Sequence, residues 1–113
     1  MAQEALKNAR NTSGERSQLP SPSFLLQAVA DSFQLTPDDL KGTRRDKSAV
    51  LARRVAMYLL RRETNYSVTQ IAQELGGRDP SSVTHACKKL AGELEGNHHL
   101  QRVLQDIQKK LKS

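Results

Sequence analysis

The amino-acid sequence predicts an all-α fold, a compact bundle of about five to six helices that contains a helix-turn-helix. The main observation is that apolar residues recur at the i, i+3, i+4, i+7 spacing of a helix face in successive segments after residue 20. The second observation is the pair Gly76-Gly77, which separates two such segments and gives helix, tight glycine turn, helix. No strand pattern competes with these helices.

The chain is long enough for one domain with a modest core, because 113 residues bury only a limited apolar area. Residues 1–20 are predicted to be a flexible linker or tail, because the segment NTSGERSQLPSPS, which begins at Asn11, has the Ser, Gly and Pro content typical of one. Residues 21–113 are predicted to form the helix-turn-helix domain. Leucine, valine and alanine must build its core, since aromatic residues make up only 4% of the chain.

Helices are predicted on both sides of a short connection near residue 35. The first begins between Ser21 and Ser23, and its apolar face comprises Leu26, Val29, Ala30 and Phe33. The second is a short turn that ends at Gly42. Thr36 is its expected N-cap, because threonine is favoured there and Pro37 follows at the first helical position.

A long helix, predicted from about Lys47 to Glu63, is apolar around most of its circumference, so we expect it to be central and buried. Its exception is a stripe of cations formed by Lys47, Arg54 and Arg61. These residues are seven positions apart and drift by only ~20° per step, so they line up along one edge. We expect them to contact phosphate groups, and the alternative is that they snorkel at the edge of the core.

The glycine pair lies between the two helices of the predicted motif. The first helix opens with Ser67 and Gln70 at the spacing of a capping box. The second has Asp79 as its expected N-cap and Pro80 as its first residue. Its buried face is predicted to comprise Val83, Ala86, Cys87, Leu90, Ala91 and Leu94. A last helix, capped by Asn97, completes the bundle.

The exposed side of the second motif helix carries small polar residues close to its start. Those that no packing requirement explains are Ser81, Ser82, Thr84, His85 and Lys88. In a helix-turn-helix, the second helix enters the major groove of DNA with its N-terminal residues at the base edges. Small hydroxyl groups allow close approach and hydrogen bonding there, so this helix is predicted to be a recognition helix.

The distribution of charge also indicates a polyanionic partner. From Lys41 to Arg62 there are eight basic residues and one acidic residue, so the net charge of this segment, +7, exceeds the +6 of the whole chain. A positive excess confined to one segment is typical of a protein that binds nucleic acid. A merely solvated basic face is the alternative.

Several other classes of protein lack the residues that they need. The sequence has no glycine-rich phosphate loop, no apolar run near the ~20 residues that span a bilayer, and no secretory pattern at its N-terminus. Cys87, the single cysteine, cannot form an internal disulfide and is expected to pack in the core. No Cys/His/Asp cluster has the spacing of metal ligands and no nucleophile–base pair is evident, so neither a metal site nor enzymatic activity is predicted.

The run AMYLLRRETNYSVTQIAQELGGRDPSSVTHACKKL resembles the C-terminal DNA-binding domain (domain IV) of DnaA, the bacterial chromosomal replication initiator. The matching motifs are Arg54 to Leu59, Ser67 with Ile71 and Ala72, and Gly76 through Ala86, of which the G-G-R-D stretch is the most specific. The resemblance covers roughly residues 24–111. It implies sequence-specific binding of double-stranded DNA at A·T-rich nine-base boxes in replication origins.

The resemblance also implies roles for individual residues. Arg45, in the loop before the long helix, would enter the minor groove at A·T-rich sequence. Phosphate contacts would come from Lys47, Arg53, Arg54 and Arg61. Base methyl groups would be approached by Val68 and Thr69. The major groove would be faced by Asp79, Ser81, Ser82 and Thr84, with Ser82 and His85 also near the backbone. Asp79 would accept a hydrogen bond from a cytosine or adenine amino group, or would serve only as the helix cap.

The start of the recognition helix departs from the family pattern. Pro80, Ser81 and Ser82 stand where the family has a histidine followed by two threonines. Proline suits the first helical position, so we expect the helix to form. An imidazole and two methyl groups that could contact bases are lost. We therefore expect binding to persist through the phosphate contacts, while discrimination between sequences weakens or shifts.

The resemblance implies further partners and a location. In the family, an ATPase domain precedes this module, so ATP and other copies of the initiator would be bound outside this chain, which is expected to need no cofactor. The expected location is the bacterial cytoplasm, at the nucleoid. One alternative is a stand-alone or transposase-associated regulatory DNA-binding domain with altered specificity. The other is a basic module that binds a protein or an acidic phospholipid surface.

Overall fold

The computed structural model describes residues 21–112, and within them the chain forms six α-helices and no β-strand. The helices are α1 (Pro22–Ser32), α2 (Pro37–Lys41), α3 (Lys47–Glu63), α4 (Val68–Glu74), α5 (Pro80–Leu94) and α6 (His98–Lys112). The predicted all-α fold is confirmed, with α4 and α5 as its helix-turn-helix. The linker or tail predicted for residues 1–20 lies outside the described residues, as does Ser113.

The helices begin at the capping residues that the sequence predicts. Thr36 and Ser67 each form a capping box, in which the cap side chain accepts from the N3 backbone N–H and the N3 side chain accepts from the cap N–H. Asp79 and Asn97 accept from backbone N–H groups in the first turns of α5 and α6. Asp46, a cap that was not predicted from the sequence, accepts from the Ala49 backbone N–H at the start of α3. Local sequence therefore fixes where the helices start.

Helix α3 is the centre of the bundle, as its apolar circumference predicts. It packs against α1, α2, α4 and α5, and α6 closes the bundle by packing against α1 and α5. The fully buried leucines of the core are Leu25, Leu26, Leu40, Leu59, Leu60, Leu75 and Leu90. Ala91, predicted on the buried face of α5, is exposed, because the residues of α5 that pack inwards lie along Val83, Ala86 and Leu90.

The turn between α4 and α5 meets the end of α2. Gly76 has a φ of 90°, a left-handed conformation that glycine tolerates. It lies so close to the Lys41 carbonyl oxygen that a Cβ atom at this position would overlap that oxygen. Gly77 is also left-handed, with a φ of 79°, but a Cβ atom there would face open space. Gly76 therefore both ends α4 and allows two backbone segments to touch.

Three backbone carbonyl groups at the end of α2 accept hydrogen bonds from two arginines. Arg53 of α3 donates from Nε to the Leu40 oxygen at 3.0 Å and from Nη2 to the Asp39 oxygen at 3.2 Å. Arg78 of the α4–α5 turn donates from Nη2 to the oxygens of Leu40 and Gly42. The last carbonyls of a helix have no partner within it, so these donors satisfy groups that would otherwise be unpaired. We call the carbonyls of Asp39, Leu40 and Gly42, together with Arg53 and Arg78, the α2 carbonyl cluster.

Alanine substitution of each glycine separates the cost of the close contact from the cost of the backbone conformation. We expect Gly77→Ala to lower the free energy of unfolding by about 1–2 kcal/mol, the cost of a left-handed residue with a side chain. Gly76→Ala adds overlap with the Lys41 carbonyl and should cost roughly 1–3 kcal/mol more. Denaturant unfolding of both variants measures the difference. Equal losses would contradict a tight contact between the turn and α2.

Candidate nucleic-acid interface

The first turns of α5 present a row of polar side chains to solvent. The exposed residues are, as predicted, Ser81, Ser82, Thr84 and His85. Val83, which lies among them in sequence, is fully buried and fixes the helix against the core. Pro80 occupies the first helical position, where its missing N–H is not needed. The start of α5 is thus held from one side and leaves its hydroxyl groups accessible from the other.

The Asp79 carboxylate organises the start of α5. Its Oδ1 accepts hydrogen bonds from the Ser81 backbone N–H at 3.0 Å and from the Ser81 hydroxyl at 2.8 Å. These two bonds lower the pKa of Asp79, the backbone N–H contributing most, so the carboxylate is ionised at neutral pH. Because the Ser81 hydroxyl donates its proton to Asp79, its oxygen is left with lone pairs to offer outwards.

Helix α4 lies against α5 and supplies the two other residues predicted for the site. Thr69 is exposed at the start of α4, whereas Val68 is half-buried and packs against the core. The two side chains therefore differ in freedom, because Val68 is held by its packing and Thr69 is not.

The predicted cations fall into an exposed group and a paired one. Arg45 and Lys47, near the start of α3, are exposed, as is Arg61 near its end. Arg54 is half-buried, and its Nη1 lies 3.3 Å from the Oε1 of Glu93 on α5. The predicted stripe along α3 is therefore present, and its middle member is tied to the neighbouring helix.

Two clefts place cations next to α5, one at its start and one at its last turn. The larger, of about 500 Å³, lies between the α2–α3 loop, α3 and the α4–α5 turn, and its lining includes Arg53, Arg54, Arg78, Asp79 and Ser82. The smaller, of about 390 Å³, is lined by Arg45, Lys47, Val50, Leu51, Arg54 and Glu93. Arg54 borders both clefts. It therefore connects the basic start of α3 with the polar start of α5.

Arg53 does not share the exposure of the other cations, and its predicted phosphate contact needs correction. Only 7% of its surface is exposed, and its guanidinium group donates within the α2 carbonyl cluster. Burial is the main reason that its pKa is lowered, and the nearby Arg78 cation adds to the effect. Successive positions on a helix point about 100° apart, so Arg54 can face outwards where Arg53 turns inwards.

Two further residues of this region were not predicted from the sequence. Arg78 lies in the G-G-R-D stretch, but its acceptor at Gly42 is 36 residues earlier, and no local pattern reveals that contact. Glu93 has the appearance of a solvated acid on the surface of α5. Its partner Arg54 is 39 residues away, so the ion pair follows only from the packing of α3 against α5.

Other candidate groups are accounted for by packing. Cys87 is half-buried against the core, and burial raises the pKa of its thiol. In the described part of the chain, His, Cys, Asp and Glu side chains are nowhere grouped in threes or more as a metal ion would require. Within residues 21–112, none of the helices has the length and apolar character needed to cross a membrane.

The structural role of Arg53 can be tested through stability. Arg53→Gln should lower the free energy of unfolding by about 2–3 kcal/mol, because carbonyls at the end of α2 lose charged donors. Lys47→Gln, which removes an exposed cation from the same helix, should change it by less than ~0.5 kcal/mol. Urea unfolding of the two variants provides the comparison. If Arg53→Gln lost no more stability than Lys47→Gln, the carbonyls would not need the Arg53 side chain.

Comparison with known proteins agrees with this arrangement. A family model described as the bacterial dnaA protein helix-turn-helix matches residues 22–90. The chain is 39% identical over 113 residues to the chromosomal replication initiator protein DnaA of Lacticaseibacillus casei (strain BL23). That match covers 100% of this chain and 25% of that protein. It is 41% identical over 87 residues to the protein of the same name from Treponema pallidum (strain Nichols), covering 77% of this chain and 19% of that protein.

The chain thus spans a quarter or less of the length of these relatives. The matched residues run from the start of α1 to Leu90 and include α4, the glycine turn and all but the last turn of α5. This chain belongs to the bacterial DnaA helix-turn-helix family.

Proposed function

We propose that this chain binds double-stranded DNA with sequence preference, at A·T-rich nine-base boxes of the DnaA-box type, and acts as an origin-recognition module in replication initiation. The observation that carries the proposal is the exposed polar start of α5, which shares a cleft with Arg54 on the basic edge of α3. The family relationship supports the same function.

In the proposed complex, α5 enters the major groove with its first turns at the base edges. Ser82, Thr84 and His85 are exposed there, and their small or planar side chains allow close approach. The ionised carboxylate of Asp79 retains Oδ2 as an acceptor for a base amino group, since its hydrogen bonds to Ser81 use Oδ1. Val68 and Thr69 of α4 approach thymine methyl groups.

The basic residues supply the part of the affinity that does not depend on sequence. Lys47, Arg54 and Arg61 contact phosphates along one edge of α3, while Arg45 enters the minor groove. Each neutralised phosphate makes the slope of log K against log salt more negative by ~0.9. Arg53 is not among the proposed phosphate contacts, because its donors are used in the α2 carbonyl cluster.

The proposal assigns binding, and no catalysis, to this chain. The relatives are chromosomal replication initiator proteins of which this chain covers a quarter or less. We infer that ATP and contacts between initiator copies belong to other parts of such proteins. We infer no cofactor for the module itself and a location in the bacterial cytoplasm, at the nucleoid. A regulatory DNA-binding module and a surface that binds acidic phospholipid are the competing functions that the experiments below distinguish.

Fluorescence anisotropy of labelled duplexes tests the function directly. The chain is titrated onto a duplex with the A·T-rich nine-base box and onto a scrambled duplex of equal composition, each at two salt concentrations. We expect tighter binding to the box and weaker binding to both duplexes at higher salt. Equal binding to both would indicate a DNA-binding module with another specificity. Binding to vesicles of acidic phospholipid with no binding to either duplex would overturn the proposal.

Replacement of Pro80 should increase the discrimination between the box duplex and the scrambled duplex. Pro80→His returns a side chain that can contact a base, and one good base contact contributes ~1–3 kcal/mol of discrimination. The ratio of affinities for the box and the scrambled duplex should therefore rise by about tenfold. Pro80→Ala, which removes the ring without adding a donor, is the control. An unchanged ratio in Pro80→His would mean that this position does not read the sequence.

A further inference from the structure

The ion pair between Arg54 and Glu93 joins the basic edge of α3 to the last turn of α5. Both carboxylate oxygens face one guanidinium nitrogen, with Oε1 and Oε2 of Glu93 at 3.3 Å and 3.4 Å from Nη1 of Arg54. The side chains retain 25% and 38% of their exposure, so water and solutes reach the pair. The contact is therefore open to exchange with another anion.

The position of Glu93 has two electrostatic features. It is the one acidic residue that lines the smaller cleft, in which the cations are Arg45, Lys47 and Arg54. It also lies in the last turn of α5, where the helix dipole disfavours a negative charge. The cations of the cleft therefore hold the carboxylate in place, while the helix dipole opposes its charge.

We propose that Glu93 acts as an internal competitor of the DNA phosphates for Arg54 and keeps the affinity for DNA below the level that the cations alone would give. This inference rests on the proposed function, because it takes Arg54 to be a phosphate contact. A phosphate that approaches Arg45, Lys47 and Arg54 meets the carboxylate of Glu93 in the same cleft. It must displace the carboxylate from Nη1 or bind beside a like charge, and either event opposes binding.

The competition concerns phosphates and so carries no sequence information. Removal of the Glu93 charge should therefore tighten binding to every duplex by the same factor and leave the preference for one sequence unchanged. That behaviour separates Glu93 from a residue that reads bases, which would alter the ratio of affinities.

Glu93→Gln tests the proposal, with Glu95→Gln as the matched control. Both substitutions remove one negative charge from the end of α5, but Glu95 is exposed and lies outside the smaller cleft. Anisotropy titrations with the box duplex and the scrambled duplex are repeated at several salt concentrations. We expect Glu93→Gln to bind both duplexes about two- to fivefold more tightly than Glu95→Gln, the range typical of a solvent-accessible ion pair. Its salt slope should stay about the same, because Arg54 contacts a phosphate with or without the Glu93 charge.

The double variant Arg54→Gln/Glu93→Gln identifies the route of the effect. Adding Glu93→Gln to the Arg54→Gln variant should tighten DNA binding by no more than Glu95→Gln tightens binding by the unsubstituted chain. The reason is that the cation for which Glu93 competes is gone. Thermal unfolding of each variant verifies that α5 still packs on α3.

Each contrary result has a distinct meaning. Equal affinities of Glu93→Gln and Glu95→Gln would overturn the competition, and so would weaker binding by Glu93→Gln, which would make Glu93 a residue that positions Arg54. Failure of the unsubstituted chain to bind either duplex would overturn the proposed function, and the competition with it.

Discussion

The carbonyl oxygens at the end of α2 have no hydrogen-bond donors within that short helix. The arrangement of the site depends on the side chains that donate to them. Arg53 reaches them from α3 and Arg78 from the α4–α5 turn, so both converge on the Leu40 oxygen. Gly76 brings the turn close enough for this to occur. The α2 carbonyl cluster thereby fixes the turn that precedes α5 relative to the loop that precedes α3. Those are the two segments from which the polar and the basic parts of the candidate interface begin.

The adjacent residues Arg53 and Arg54 show how one helix separates support from binding. The inward arginine satisfies backbone groups and is nearly excluded from solvent. The outward arginine borders two clefts and has only a carboxylate on a neighbouring helix as its ion-pair partner in the described part of the chain. One arginine therefore supports the fold and the other lines the clefts, because the helix turns by about 100° between them. The charge of the basic segment is consequently not all available to a ligand.

The sequence predicts those features that are encoded within a few neighbouring residues. The N-cap at Thr36, the capping box at Ser67, the turn at Gly76 and the exposed hydroxyls of α5 all depend on local spacing, and the structure agrees with each. The inward orientation of Arg53 was not predicted. The sequence pattern of a cation beside an apolar face is the same whether its guanidinium group is solvated or donates to a backbone carbonyl. The pairings of Arg78 with α2 and of Arg54 with Glu93 join residues 36 to 39 positions apart. Such contacts follow from helix packing, which no periodicity specifies.

The separation of buried and exposed positions along α5 has a consequence for how such a domain changes over evolutionary time. Val83, Ala86 and Leu90 face the core, while positions 80–82, 84 and 85 make little or no contribution to it. A substitution at the latter positions is therefore nearly neutral for folding, and natural selection can act there on ligand preference alone. Proline and serine at the start of α5 are residues that this freedom permits. Gly76 has no equivalent latitude, because a Cβ atom there would overlap the Lys41 carbonyl oxygen, so a change of ligand preference is open to the start of α5 and closed to the turn before it.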